Sequence, residues 1–240
     1  MKKKYISLLS LMLIISLGSN VYAMHIAEGF LPKMWCGFYF IISMPFVIIG
    51  LKQIRIKTKT NKDIKMLIGL VAAYCFVLSA MKIPSVTGSC SHPTGTGLAA
   101  IVFGPFVASV VSSVVLLFQA LLLAHGGITT LGANLFSMGI AGPIVSYLIY
   151  IGFKNKNKKK AIFFSAMLGD LTTYMVTSIQ LAVAFPSITG GVITSFIKFA
   201  SIFAITQLPL AIVEGILTLI IFEFLESHSG KELKDLSEVR

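Results

Sequence analysis

Val21-Tyr22-Ala23-Met24-His25-Ile26-Ala27-Glu28-Gly29 decides how the rest of the chain is threaded. Ahead of it stand Lys2-Lys3-Lys4 and an apolar run from Tyr5 to Leu17. A basic start, a short apolar core and small residues before Met24 are the three parts of a secretory leader. Removal of residues 1–23 leaves Met24 as the first residue, on the outside, with His25 second. The alternative is an uncleaved first transmembrane helix, but the apolar run is short for a stable span. The choice matters chemically, because only cleavage gives Met24 a free amine.

A chain that begins X-His is a chelator. The α-amine, the His25 backbone nitrogen once deprotonated, and the ring Nδ1 close fused rings around one ion and leave a fourth corner open. Tetragonal nitrogen sites suit Ni(II) and Cu(II), and low-spin Co(II) fits as well. The remaining sequence is therefore searched for what supplies the last corner.

Working outward, 56% hydrophobic residues, 12% charged residues and a mean hydropathy of +0.89 exclude an ordinary soluble globule. The chain reads as an all-α, polytopic membrane protein. Its net charge of +11 does not point to nucleic acid, because the basic residues are clustered. Lys2–Lys4, the six between Lys52 and Lys65, and Lys154, Lys156, Lys158, Lys159 and Lys160 mark cytoplasmic loops between apolar spans. Three cysteines, Cys36, Cys75 and Cys90, lie scattered in apolar context and suggest no disulfide framework.

From the outer N-terminus, Trp35–Leu51 crosses inward and 66–82 crosses back, which places Ile83–Thr96 outside. The apolar tract 97–152 starts outside and ends at the Lys154–Lys160 cluster, so its number of crossings is odd. Three are expected, over 97–109, 110–125 and 130–152, with a re-entrant piece as the alternative. Residues 161–184 cross outward, Phe185–Gly191 turns, and 192–226 returns with a kink near Pro209. The total is about seven transmembrane helices, N-terminus out and C-terminus in. The chain divides into a cleaved leader (1–23), a membrane-embedded unit (24–226) and a polar cytoplasmic tail (227–240).

This threading puts His25, His92 and His125 on the outer side and His228 in the tail. His92, in the tight Ser89-Cys90-Ser91-His92-Pro93-Thr94-Gly95 loop, is the better candidate for the fourth corner. His125, followed by Gly126-Gly127, is assigned to orienting a ligand, as are Glu28 and Asn134. Cys90 is read as lining, since a thiolate biases a site toward zinc or Cu(I). Asp170 and Glu214 fall mid-span, where charge is expensive. They are read as a buried pair locking two helices, with a proton relay or a contact for a coupling subunit as the alternative. Lys82 and Lys198 lie near enough to helix ends to snorkel. Gly104, Ala108 and Ser112 form a small-residue stripe that serves either an intrachain seam or a docking face. The glycines of Gly95-Thr96-Gly97 lack the preceding strand of a dinucleotide fold, and no GxxxxGK[ST] phosphate loop occurs.

Met-His-Ile-Ala-Glu-Gly-Phe-Leu-Pro after a leader, Ser-His-Pro-Thr-Gly-Thr-Gly, and the stretch from Gln119 through His125-Gly-Gly to Asn134 resemble the CbiM/NikM family. These are substrate-binding membrane components of energy-coupling-factor transporters for cobalt and nickel. The resemblance runs from Met24 to about Glu226. It implies a seven-helix fold, no catalytic residues, and a metal held by the Met24 amine, the backbone and ring nitrogens of His25, and the ring of His92. It further implies a multi-pass protein of the cell membrane in contact with lipid. Its partners would be a CbiN-like small membrane subunit, a CbiQ-like coupling subunit and CbiO-like ATPases, with no nucleic acid. A single chain without a fused second module is more similar to the cobalt branch, so Co2+ is the expected substrate, serving cobalamin biosynthesis, and Ni2+ the alternative. A membrane-embedded metalloenzyme built on Asp170, Glu214 and histidines is the rival from another class, and a vitamin-binding component of the same transporter type is a third.

Overall fold

The computed structural model describes residues 25–84 and 90–238, so Met24 and the leader lie outside the described residues. Almost all of the described chain is helical: α1 (Lys33–Thr60), α2 (Ile64–Ala80), α3 (Thr96–Phe103), α4 (Pro105–Leu122), α5 (Leu131–Phe153), α6 (Lys158–Ala184), α7 (Gly191–His228) and α8 (Gly230–Glu238). A two-residue antiparallel pair, Ile83–Pro84 with Cys90–Ser91, pinches the loop after α2. Among the described residues α1, α4, α5, α6 and α7 are long and apolar enough to cross a bilayer. α2, with 17 residues, reaches about 26 Å.

The reading as a multi-pass, all-α membrane protein holds, but its boundaries move. α1 runs 28 residues instead of the expected 17. Lysine and arginine are good helix formers, so the basic stretch continues the helix and the chain turns only at Asn61–Asp63. In the tract 97–152 the break falls at Gly104-Pro105, not at residue 109. Gly104 takes φ +93°, open chiefly to glycine, and Pro105 sits at the start of α4, where its missing N–H costs nothing. The expected crossing 97–109 is therefore the eight-residue α3, about 12 Å long and too short to span. Every residue of α3 is buried, so it is a core helix, reached through the non-helical segment Ser91–Gly95.

Packing is inverted relative to a soluble protein. Large apolar side chains such as Ile41, Leu121 and Ile193 point outward, as a hydrocarbon solvent favours. Hydroxyls and amides line the interior: Ser146 Oγ donates to the Ser165 carbonyl at 2.9 Å, tying α5 to α6, and Ser165 returns a hydrogen bond to the Ser146 carbonyl. The small-residue stripe is an intrachain seam. Ala108 and Ser112 are fully buried, and a Cβ on Gly139 of α5 would meet Ser112 Cβ at 2.8 Å. Beyond α7, α8 buries Leu236 in the core, and Asp235 accepts a 2.8 Å hydrogen bond from Asn61, so this part of the polar tail folds back on the α1–α2 turn.

Candidate metal centre

Three short segments meet above the helical core: the N-terminal strap 25–32, the segment 91–95, and the turn 123–130 between α4 and α5. The strap is fastened through Ile26. Its N–H donates to Asn134 Oδ1 at 2.8 Å, and its carbonyl accepts from Thr130 Oγ1 at 2.7 Å and Asn134 Nδ2 at 3.1 Å. Two residues on, Glu28 N–H donates to the Gly126 carbonyl at 3.2 Å, and Thr129 donates to the Glu28 carboxylate from its amide at 3.1 Å and from its hydroxyl. The turn can come this close because it is glycine at the contact. A Cβ on Gly127 would meet Glu28 Cα at 2.5 Å, and Gly126 takes φ +76°.

These anchors bring together His25, His92 and His125, all buried. His92 Nε2 lies 3.3 Å from His25 Nδ1 and 3.0 Å from His125 Nε2. One nitrogen from each ring falls within 4.8 Å of the others. His92 Nδ1 lies 2.9 Å from the Pro93 carbonyl. A carbonyl only accepts, so Nδ1 carries the proton and Nε2 presents its lone pair inward. His25 Nε2 is buried without a hydrogen-bond partner among the described residues. The His25 residue borders a gap with no room for water, shared with Ser137, Met138, Thr173 and Thr177. Burial depresses all three imidazoles below their ordinary value. His25 falls well below it, with its two neighbours adding to the effect. His92 drops to about 4 and His125 to about 2. The rings are therefore neutral at physiological pH, the state a metal needs.

Of the residues singled out in the sequence, His25, His92, His125 and Asn134 share this site, and Glu28 fixes the strap beside it. Met24 and the Cys90 side chain lie outside the described residues. His228 is exposed and stacks on Phe224 at 4.2 Å between ring centroids, far along the chain from the cluster. Asp170 of α6 accepts a hydrogen bond from Gln207 of α7, which joins the two helices, and it interacts electrostatically with Glu214. Sequence reasoning missed what else Glu214 does: it accepts from the Thr94 and Gly95 backbones beneath His92. A lone carboxylate in an apolar span and a donor-rich loop were both visible, but nothing in the sequence joined them. Thr130 was also missed, being one hydroxyl among many.

Asn134→Ala removes the acceptor for the Ile26 N–H and one donor to its carbonyl. A buried N–H left unpaired costs about 1–3 kcal/mol. Metal affinity is expected to fall roughly 10–100-fold with helix content unchanged, as measured by calorimetric titration alongside circular dichroism.

The chain resembles known proteins over most of its length. A family profile described as "Cobalt uptake substrate-specific transmembrane region" (CbiM) matches residues 25–231. The chain is 68% identical over 240 residues to a cobalt transport protein CbiM of Clostridium tetani, covering all of both chains. A second CbiM, from Desulforamulus reducens, is 62% identical over 210 residues, covering 88% of this chain and 84% of that one. Among solved structures, a truncated transition metal transporter superposes with a TM-score of 0.72 at 26% identity, covering 85% of this chain and 99% of the other. These relatives are transport proteins and not enzymes, and with a profile match from the strap to α8, the chain belongs to the CbiM cobalt-uptake family.

Proposed function

We propose that the chain is the metal-capturing membrane subunit of an energy-coupling-factor importer that takes up Co2+ from outside the cell. The carrying observation is the convergence of three buried imidazole nitrogens beside a strap that begins one residue after Met24. Removal of residues 1–23 would make Met24 the chain end and add its amine to that cluster. The Met24 amine, the His25 amide nitrogen, His25 Nδ1 and His92 Nε2 then form a plane of four nitrogens. His125 and Asn134 hold these ligands in place, and Glu28 holds the strap. Binding to His25 Nδ1 leaves the ring proton on Nε2, in a residue that shares a gap with Ser137, Thr173 and Thr177.

In this reading the protein sits in the plasma membrane with its N-terminus out and C-terminus in. Seven crossings result when α2 and the composite unit of segment 91–95 with α3 are counted with the five long helices. The parity required by the Lys154–Lys160 cluster is kept, although one crossing is only partly helical. Residues 24–226 form the metal-binding unit, and the tail faces the cytoplasm. The chain has no phosphate loop, so ATP hydrolysis belongs to CbiO-like subunits working through CbiQ-like and CbiN-like membrane partners.

The test is mass and metal analysis of protein purified from cells grown with cobalt. The expected result is a chain starting at Met24 with one Co2+ bound. Metal-free protein, or a chain starting elsewhere, overturns the reading. The nickel counterpart is the second reading, because four planar nitrogens suit Ni(II) and the structural neighbour is named only as a transition metal transporter. Growth with equal cobalt and nickel decides between them.

The pH dependence has a definite sign. Buried His92 and His125 have their protonation pushed to about 4 and about 2, so near neutrality they bind no competing proton. The amine, with an ordinary value of about 7.7–8.0, and the amide do release protons. Two protons leave per ion below that range, so affinity falls about 100-fold per pH unit between pH 7 and 5. Competition titrations at stepped pH measure the slope; a slope of zero removes the amine and amide from the ligand set.

A further inference from the structure

The carboxylate of Glu214 is fully buried in α7 and faces the segment that carries His92. It accepts hydrogen bonds from the Thr94 N–H, from Thr94 Oγ1 at 2.9 Å and from the Gly95 N–H at 2.9 Å. Gly95 caps α3, so the same carboxylate also faces the positive end of that helix dipole. Three donors on two successive residues, all on one carboxyl group, fix the segment in depth as well as rotation. Sliding it by one residue would exchange both amides for others.

A second contact makes the position one-sided. Gly95 takes φ +69°, and a Cβ there would meet Cys75 Cα at 2.9 Å, while Cys75 Sγ donates to the Gly95 carbonyl at 3.2 Å. The segment is pressed against α2 on one side and drawn to α7 by Glu214 on the other. His92 follows two residues before Thr94, and its Nε2 ends 3.3 Å from His25 Nδ1. A carboxylate needs no such precision to lock helices, and the Gln207 amide already serves Asp170 from the same helix.

We propose that Glu214 is a positioning residue for the metal site: its grip on Thr94 and Gly95 sets where His92 Nε2 stands relative to His25. This rests on the reading of His92 as a metal ligand. Glu214 touches no metal itself. The replacement Glu214→Gln keeps the shape but substitutes an NH2 for one acceptor oxygen, so one backbone N–H loses its partner and the segment shifts.

The experiment is a double-mutant cycle on the full, processed protein, titrated with Co2+ by calorimetry and visible absorption. E214Q is expected to weaken binding about 10–100-fold and to move the ligand-field bands. In the His92→Ala background, E214Q is expected to change the residual affinity by less than about twofold, because it acts only through His92. Equal losses in both backgrounds, or unchanged affinity in E214Q, overturn the proposal. If E214Q fails to fold, Thr94→Val removes only the hydroxyl donor. It should show the same dependence on His92 with a smaller loss, and an equal loss in both backgrounds again overturns the proposal. If His92→Ala itself leaves binding intact, the ligand assignment fails instead, so the two failures are distinguishable.

Discussion

His25→Ala and His92→Ala are each expected to reduce uptake of radiolabelled Co2+ to background. Metal-binding free energies of about 10–16 kcal/mol shared over four donors amount to roughly 2.5–4 kcal/mol per donor, a loss of about 60- to 900-fold in affinity. In the proposed four-nitrogen site the cost at His25 is larger, because its ring nitrogen would close the chelate that makes the amide nitrogen a ligand at all. In that proposed site His92 would contribute one donor; its carbonyl is held by Tyr174, and Glu214 holds Gly95 three residues on. Cells expressing each variant with the partner subunits, scored for protein in the membrane and for cobalt accumulation, give the measurement. Normal uptake by both variants would eliminate the site.

Blocking leader removal is expected to be just as severe. Replacing Ala23 with Leu puts a bulky side chain at the last leader position, where processing needs a small one. The retained leader turns the Met24 nitrogen into an amide. Unlike an amine, an amide nitrogen donates to a metal only once it is deprotonated. Uptake should drop to background although the helical core is unchanged. The check pairs N-terminal mass with transport: unprocessed protein that still accumulates cobalt at the normal rate rules out a role for the chain end.

How much of this was legible in the sequence depended on how local each cause was. Basic clusters and apolar tracts gave the helical, multi-pass architecture, because loop charge and hydrocarbon transfer act residue by residue. The Gly104-Pro105 break was also local and was underweighted: length arithmetic suggested three even crossings, whereas the backbone at Gly104 dictated a short core helix followed by a full one. His25 and His92 were legible through ligand chemistry and His125 through its neighbouring glycines. The clasp of Asn134 and Thr130 on Ile26 spans a sequence separation of more than a hundred residues. No periodicity encodes such a contact; only the fold brings the partners together. The same holds for Glu214, whose isolation in an apolar span signalled a partner without naming it.

The site draws its imidazoles from segments held by two different sets of hydrogen bonds. His25 and His125 belong to the strap and the α4–α5 turn, while His92 hangs from Tyr174 of α6 and Glu214 of α7. In the proposed reading an ion bound here would act as a rivet, adding its own bonds to the packing of Ile26 and Leu31 against Tyr174 and Phe203.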